Sequence, residues 1–295
     1  MLGDALERVE VPVLLQTGWQ DLFLPQTLEQ YASLARRGVD VALTVGPWNH
    51  IQIITKGGRI VVPESLDWFD EHLGGSGIRT RAAPVKVFVT GAAQWRDLPA
   101  WPPSTENRAL HLLPGAAFGD QPATEGATAE FTYDPADPTP TIGGRVLDPT
   151  GGYKDDTELA GRRDVLTFTG DRLTAPLEIL GTPVVELAHA SDNPHVDVFV
   201  RLSEVGEGAS RNVSEAFLRL PPEAAGGPVR LELDAVAHRF AAGHRIRLSV
   251  AGGSHPRWER NLGTGDDPAT SAGTAPSHRT IDLAASRLEL PVSSS

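Results

Sequence analysis

Two short runs, Val13-Leu14-Leu15-Gln16-Thr17-Gly18 and Val41-Ala42-Leu43-Thr44-Val45-Gly46, are largely apolar without strict alternation. They limit the folds open to this chain more than any other feature. A strand with one wet face alternates, whereas a continuous β-branched run reads as a strand covered on both faces, the condition of a parallel sheet. The predicted strands cover 11–18 and 39–46. Between them Leu28, Tyr31, Leu34 and Ala35 follow i, i+3, i+4 spacing, Pro25 suits a first helical turn and Gly38 a stop. The spacing predicts a helix over 25–37, and the whole a βαβ unit. A second helix is predicted over 64–73, with Leu66, Trp68, Phe69 and Leu73 apolar and Gly74-Gly75 at its end.

Two parallel strands and two helices cannot close a covered sheet. The first strand follows only ten residues yet has the composition of a central one, so several further strands are expected upstream of it.

From about Pro84 the pattern changes to short β-rich pieces separated by Pro, Gly and Asp turns: 85–90, 109–113, 184–188, 196–202, 229–237 and 245–250. Alternation is clearest in Val196-Asp197-Val198-Phe199-Val200-Arg201-Leu202 and His244-Arg245-Ile246-Arg247-Leu248-Ser249-Val250, as half-buried antiparallel strands require. This half reads as a β-sandwich. The Pro-rich stretch 133–144 is predicted to be an extended crossing loop.

The 295 residues carry a formal net charge of −12, 40% hydrophobic content and no cysteine. Without clustered Lys and Arg, nucleic acid is excluded as a partner. Absence of cysteine excludes disulfides, a thiol nucleophile and thiolate metal sites. The first ten residues lack the basic and apolar regions of a secretory signal, and no stretch is apolar enough to span a membrane. The expectation is a cytoplasmic protein acting on small molecules or peptides, with no membrane partner.

Asp21 and His50 stand just beyond the two parallel strands, whose C-terminal ends share one rim of the sheet. An acid that binds imidazole Nδ1–H leaves Nε2 to take the proton of a hydroxyl nucleophile, so an acid and then a base at matching strand ends suit the last two members of a Ser, Asp, His series. Taken singly, Asp21 could be a helix N-terminal carboxylate and His50 a satisfied loop histidine. In the expected order, the pair favours catalysis. Trp19, Phe23 and Trp48 flank it as candidate substrate-pocket residues, with Phe23 facing the cleft and Trp48 packed under the loop.

Gly18-Trp19-Gln20-Asp21 followed by Gly46-Pro47-Trp48-Asn49-His50 resembles the X-Pro dipeptidyl-peptidase and cocaine-esterase-like family of serine hydrolases. Further segments carry the likeness along the chain: Val87-Phe88-Val89-Thr90-Gly91, Trp95-Arg96, Trp101-Pro102-Pro103, Tyr133-Asp134-Pro135-Ala136-Asp137-Pro138, His238-Arg239-Phe240 and Gly243-His244-Arg245-Ile246-Arg247-Leu248. The resemblance implies α/β followed by all-β: the C-terminal fragment of an α/β-hydrolase sheet over 1–80, then a jelly-roll, galactose-binding-like β-sandwich over 81–295. It implies Asp21 and His50 as catalytic acid and base in ester or amide hydrolysis, without metal or cofactor. The family's Gly-x-Ser-x-x-Gly elbow and oxyanion-hole Tyr match nothing here, so the nucleophile is expected in a missing N-terminal hydrolase segment and the isolated chain is expected to be inactive. Gly74-Gly75-Ser76-Gly77 and Gly252-Gly253-Ser254 read as turns.

His189, Asp192, His195 and Asp197 mix metal-ligand types but precede an alternating strand and read as structural, as do His238 and His244. Arg257, Arg260 and Asn261 could contact a ligand, though surface ion pairing is the expected role for the arginines. One alternative stays open: a non-catalytic sandwich that binds carbohydrate, peptide or a partner subunit, with 1–80 a hydrolase remnant. Dimerisation through the sandwich is a further expectation.

Overall fold

The computed structural model describes residues 5–75, 77–147 and 149–293, which form two compact units. Unit one contains residues up to 104 with the segments 145–152 and 237–239; unit two contains 105–144, 153–236 and 240 onward. Ser76, in one of the two Gly/Ser clusters, lies outside the described residues.

Unit one is built on β1 (Val13–Gln20), α1 (Leu24–Arg36), β2 (Val41–Asn49), α2 (His50–Thr55), α3 (Gly58–His72), β3 (Val85–Val89) and β4 (Gln94–Leu98). The expected βαβ unit is present. β1 and β2 pair in parallel with Val13 opposite Val41 and Gly18 opposite Gly46, and α1 buries Leu24, Tyr31 and Leu34 with Pro25 in its first turn. Sequence spacing placed the second helix at 64–73; α3 instead begins at Gly58, carries Pro63 inside it and follows the short α2. Its inner face is Val61 and Trp68, while Leu66, Phe69 and Leu73 are exposed.

β3 corrects a second expectation. The segment 85–90 reads as one of the short β-rich pieces of the sandwich, but it pairs in parallel with β2, Thr44 opposite Lys86, and β4 then closes antiparallel on it. Gln16, Thr44 and Lys86 consequently lie in one row across β1, β2 and β3. All three reach Glu64 of α3: Thr44 Oγ1 donates to Oε2 at 2.7 Å, Gln16 Nε2 to Oε2 at 3.4 Å and Lys86 Nζ to Oε1 at 2.8 Å. A polar row on a buried sheet face needs such a partner, and it fixes where α3 sits.

Unit two is β-rich. Its strands are β5 (Thr105–Leu113), β6 (Ala117–Gly119), β7 (Thr128–Tyr133), β8 (Val165–Thr169), β9 (Leu177–Gly181), β10 (Val184–Ser191), β11 (Asp197–Val205), β12 (Ser210–Arg219), β13 (Gly227–Glu232), the two end residues of β14 (Val236–Phe240), whose middle three belong to unit one, β15 (Arg245–Ala251) and β16 (Ser277–Ser293). The hydrogen-bonded order is β12-β11-β15-β8-β6-β5-β16-β10-β13, with β7 also on β16. Apolar inward residues such as Leu112, Phe168, Val185, Val198, Val200, Leu248 and Leu288 form one core. The run over 229–237 is two strands, not one, because the chain leaves the ladder after Glu232. β12 and β16 escaped the pattern reading because their inner positions include polar residues: Asn212 and Ser214 on β12, Ser277 and Arg279 on β16.

Candidate active site

Past Gly18 the ladder slips, the pairing of β1 with β2 resuming at Gln20 and Asn49. The strands therefore run through the two glycines instead of stopping at them. The Asp21 amide then donates to the Gly18 carbonyl at 2.9 Å, turning the chain so that the Asp21 side chain points back along β1. Its carboxylate is buried, with Thr17 Oγ1 donating to Oδ2 at 3.0 Å and the Phe23 amide donating to Oδ1 at 3.1 Å.

His50, just past the end of β2, is the first residue of α2. Asn49 caps that helix, its Oδ1 accepting from the Gln52 amide at 3.0 Å while Gln52 Oε1 accepts from the Asn49 amide at 3.3 Å. This reciprocal cap sets the direction in which the imidazole leaves the backbone. Nδ1 lies 3.1 Å from Asp21 Oδ1. A carboxylate accepts, so Nδ1 is the donor, and in the neutral ring Nε2 is the nitrogen with the free lone pair. The Asp21 side chain is 4% exposed and that of His50 39%. A buried acid thus holds a base that reaches solvent, an arrangement able to take a proton from an incoming hydroxyl.

The three flanking aromatics separate. Phe23 is half exposed and sets its ring edge-on to the imidazole, centroids 5.2 Å apart. Trp19 is fully buried, donates Nε1–H to the Phe88 carbonyl at 2.7 Å and packs on Trp101; it is core, not pocket wall. Trp48 is also buried, with its ring against that of Trp95. The segment 145–152 reaches the same region, where Arg145 Nη1 donates to the Leu22 carbonyl at 3.2 Å.

Sequence reasoning passed over Thr17 and Glu64. The signal for Thr17 was a hydroxyl inside an apolar run four residues before an acid. Burial raises the Glu64 carboxyl, but hydrogen bonds from Lys86 and Thr44 and the nearby Arg81 charge outweigh it and hold the group below its ordinary range.

Among the described residues, Asp40, Glu71 and His72 could converge on a metal, their ligand atoms within 4.8 Å of one another. Arg79 already supplies a cation there, its Nη2 2.5 Å from Asp40 and its Nε 2.8 Å from Glu71.

The other polar clusters have separate partners. His189 Nε2 meets Arg279 Nη1 at 3.1 Å, Asp197 accepts from Arg219 and Asn261, and Asp192 accepts the His278 amide. His195 is tied through its amide to Asn193, His238 bonds Thr90, and His244 bonds Glu204. Arg257 corrects the surface-pairing expectation. Its side chain is 9% exposed and pairs with Glu215, which also pairs with the fully buried Arg201. Arg260 donates to the Pro135 carbonyl.

Parallel strands with Asp21 and His50 at their ends, followed by a β-rich unit, are the frame in which the comparisons with known proteins stand. Residues 76–288 match the family described as X-Pro dipeptidyl-peptidase C-terminal non-catalytic domain, and residues 2–52 match the X-Pro dipeptidyl-peptidase (S15 family). The chain belongs to the X-Pro dipeptidyl-peptidase C-terminal domain family. It is similar to a cocaine esterase of Rhodococcus sp. (strain MB1 Bresler), 28% identical over 303 residues covering 90% of this chain and 52% of the esterase. It is also similar in structure to an α-amino acid ester hydrolase, with a TM-score of 0.85, 25% identity and coverage of 99% of this chain and 57% of that one. An aminopeptidase from the marine sediment archaeon Thaumarchaeota archaeon shares the fold, with a TM-score of 0.86, 23% identity and coverage of 99% and 56%. The chain spans about half the length of the curated relatives it matches.

Proposed function

We propose that this chain supplies the acid and base of a serine hydrolase that cleaves esters or amides, with Asp21 orienting His50. The observation that carries the reading is the 3.1 Å contact between a buried Asp21 carboxylate and a partly exposed His50 at adjacent parallel strand ends. The nucleophilic Ser and the oxyanion hole come from a segment outside this sequence, a reading supported by the greater length of the relatives. Residues 1–80 are then the end of the hydrolase domain, and 81–295 a jelly-roll accessory domain that lends β3 and β4 to the sheet edge.

His50 Nε2 takes the Ser hydroxyl proton as the oxygen attacks the substrate carbonyl. The imidazolium, held by Asp21, protonates the departing alcohol or amine and leaves an acyl-enzyme. Water then enters and gives a proton to Nε2 as its oxygen attacks the acyl carbon, and the imidazolium returns that proton to the Ser oxygen as the acyl–oxygen bond breaks and the acid leaves. Phe23, edge-on to the ring and half exposed, forms part of the wall against which the acyl group lies.

The test is hydrolysis of a chromogenic acyl ester by the complete polypeptide together with fluorophosphonate labelling. His50→Ala and Asp21→Asn are each expected to lower kcat by on the order of 10⁴-fold, with the labelled Ser mapping outside these 295 residues. Unchanged turnover in either variant would overturn the roles; a labelled Ser within the chain would overturn the placement of the nucleophile.

A further inference from the structure

Thr17 is buried without exposure in β1, where a valine of the same shape would fill the space. It carries a hydroxyl instead, and the hydroxyl donates to Asp21 Oδ2 at 3.0 Å. In an extended strand, residues four apart stand about 13 Å from each other. The two meet because the Asp21 amide bonds back to the Gly18 carbonyl and folds the acid against the strand that leads to it. Among the described residues Thr17 is the one donor to Oδ2, while the Phe23 amide and His50 Nδ1 both meet Oδ1.

We propose that Thr17 is the positioning residue of the Asp21–His50 pair. Its hydroxyl stops rotation of the carboxylate about Cβ–Cγ, so that Oδ1 stays within reach of Nδ1 and the imidazole keeps its lone pair at Nε2. The role matters because the His50 ring is partly exposed and solvent competes for its Nδ1–H. The inference rests on the reading of Asp21 and His50 as acid and base.

The experiment needs no nucleophile. In the 295-residue chain labelled with ¹⁵N-histidine, the His50 Nδ1–H resonance is identified by its loss in His50→Gln, and its exchange with water is measured by NMR. Thr17→Val is expected to accelerate that exchange at least tenfold, and Thr17→Ser to keep it within twofold of wild type. A purely space-filling role predicts the reverse order, because valine keeps the shape and serine loses a methyl. Wild-type exchange in Thr17→Val would overturn the proposal, and so would exchange in a folded Thr17→Ser as fast as in Thr17→Val. If circular dichroism shows Thr17→Val unfolded, Thr17→Ala takes its place with the same expected acceleration, and wild-type exchange there would overturn the proposal equally.

In the complete polypeptide, Thr17→Val is expected to lower kcat for an acyl ester at least tenfold with KM within twofold. Altered exchange in a complete protein that hydrolyses no ester or amide would remove the catalytic reading and leave the contact's role intact. Unaltered exchange in an active enzyme would do the opposite.

Discussion

The indole of Trp48 occupies the space that a side chain on Gly46 would need. An added Cβ on Gly46 overlaps the ring, and one on Gly57 would lie 2.7 Å from it on another side. The ring is therefore held between two glycines, with Trp95 beside it at a centroid distance of 5.8 Å. Two residues later the chain delivers His50, so the packing of Trp48 sets the ground on which that side chain stands.

Gly46→Ala is expected to destabilise unit one by roughly 1–3 kcal/mol through overpacking. Urea unfolding followed by tryptophan fluorescence measures it. Gly58→Ala, where an added Cβ meets nothing within 4 Å, is the control and is expected to be neutral or slightly stabilising.

The row formed by Gln16, Thr44 and Lys86 makes the Glu64 carboxylate a titrating strut. A carboxyl held below its ordinary value of 4.5 contributes stability that is present above that value and lost as pH falls through the folded one. Glu64→Gln is expected to lower stability at pH 7 and to flatten the acid limb below about pH 4.5. Urea midpoints at pH 7, 5, 4 and 3 check both parts; parallel acid limbs in the two proteins would contradict it.

Glu215 sits between Arg201, fully buried, and Arg257. Burial lowers the Arg201 pKa to about 10, with the Asp156 charge opposing that shift. Glu215→Ala removes the carboxylate that both guanidiniums share and is expected to cost about 3–5 kcal/mol, the range for breaking a buried pair from one side. Calorimetric unfolding of the chain reads the loss, and a change below 1 kcal/mol would show that Asp156 alone suffices.

His189 is buried beside Arg279, and its pKa falls from 6.5 to about 4, first through burial and then through the guanidinium charge. The unfolded chain takes up this proton near pH 6.5 while the folded chain resists it until about pH 4, so stability drains away on acidification through that window. The gap corresponds to roughly 3 kcal/mol at about 1.4 kcal/mol per unit. His189→Gln is expected to reduce the slope of stability against pH between 6.5 and 4, measured by urea unfolding.

The βαβ unit was legible because its signals are local. Leu34 and Tyr31 share a face by spacing alone, and a continuous run such as 41–46 declares cover on both faces. The order of Asp21 and His50 was equally legible. α3 was misplaced at its start because Pro63 reads as a helix boundary, although the helix passes through it. β3 reads with the sandwich because it is a short β-rich piece at the head of the turn-rich stretch that begins near Pro84, yet it lies in the first sheet. Its partner is β2, and register across strands is not written in either strand alone.

What the amino-acid sequence determined by itself was periodicity: parallel strands, an intervening helix, a β-rich second half, and an acid and base at matching strand ends. These depend on residues within a few positions of one another. The tertiary structure decided which polar groups could be buried, since each needed a partner far along the chain or on the far side of a turn. Asn212 and Ser214 sit inside β12, Arg201 meets Glu215, and Glu64 gathers three strands into one row. Thr17 reaches Asp21 only because a hydrogen bond to Gly18 folds the chain back. A buried hydroxyl or charge is stable where its partner stands, and only the folded chain brings that partner there.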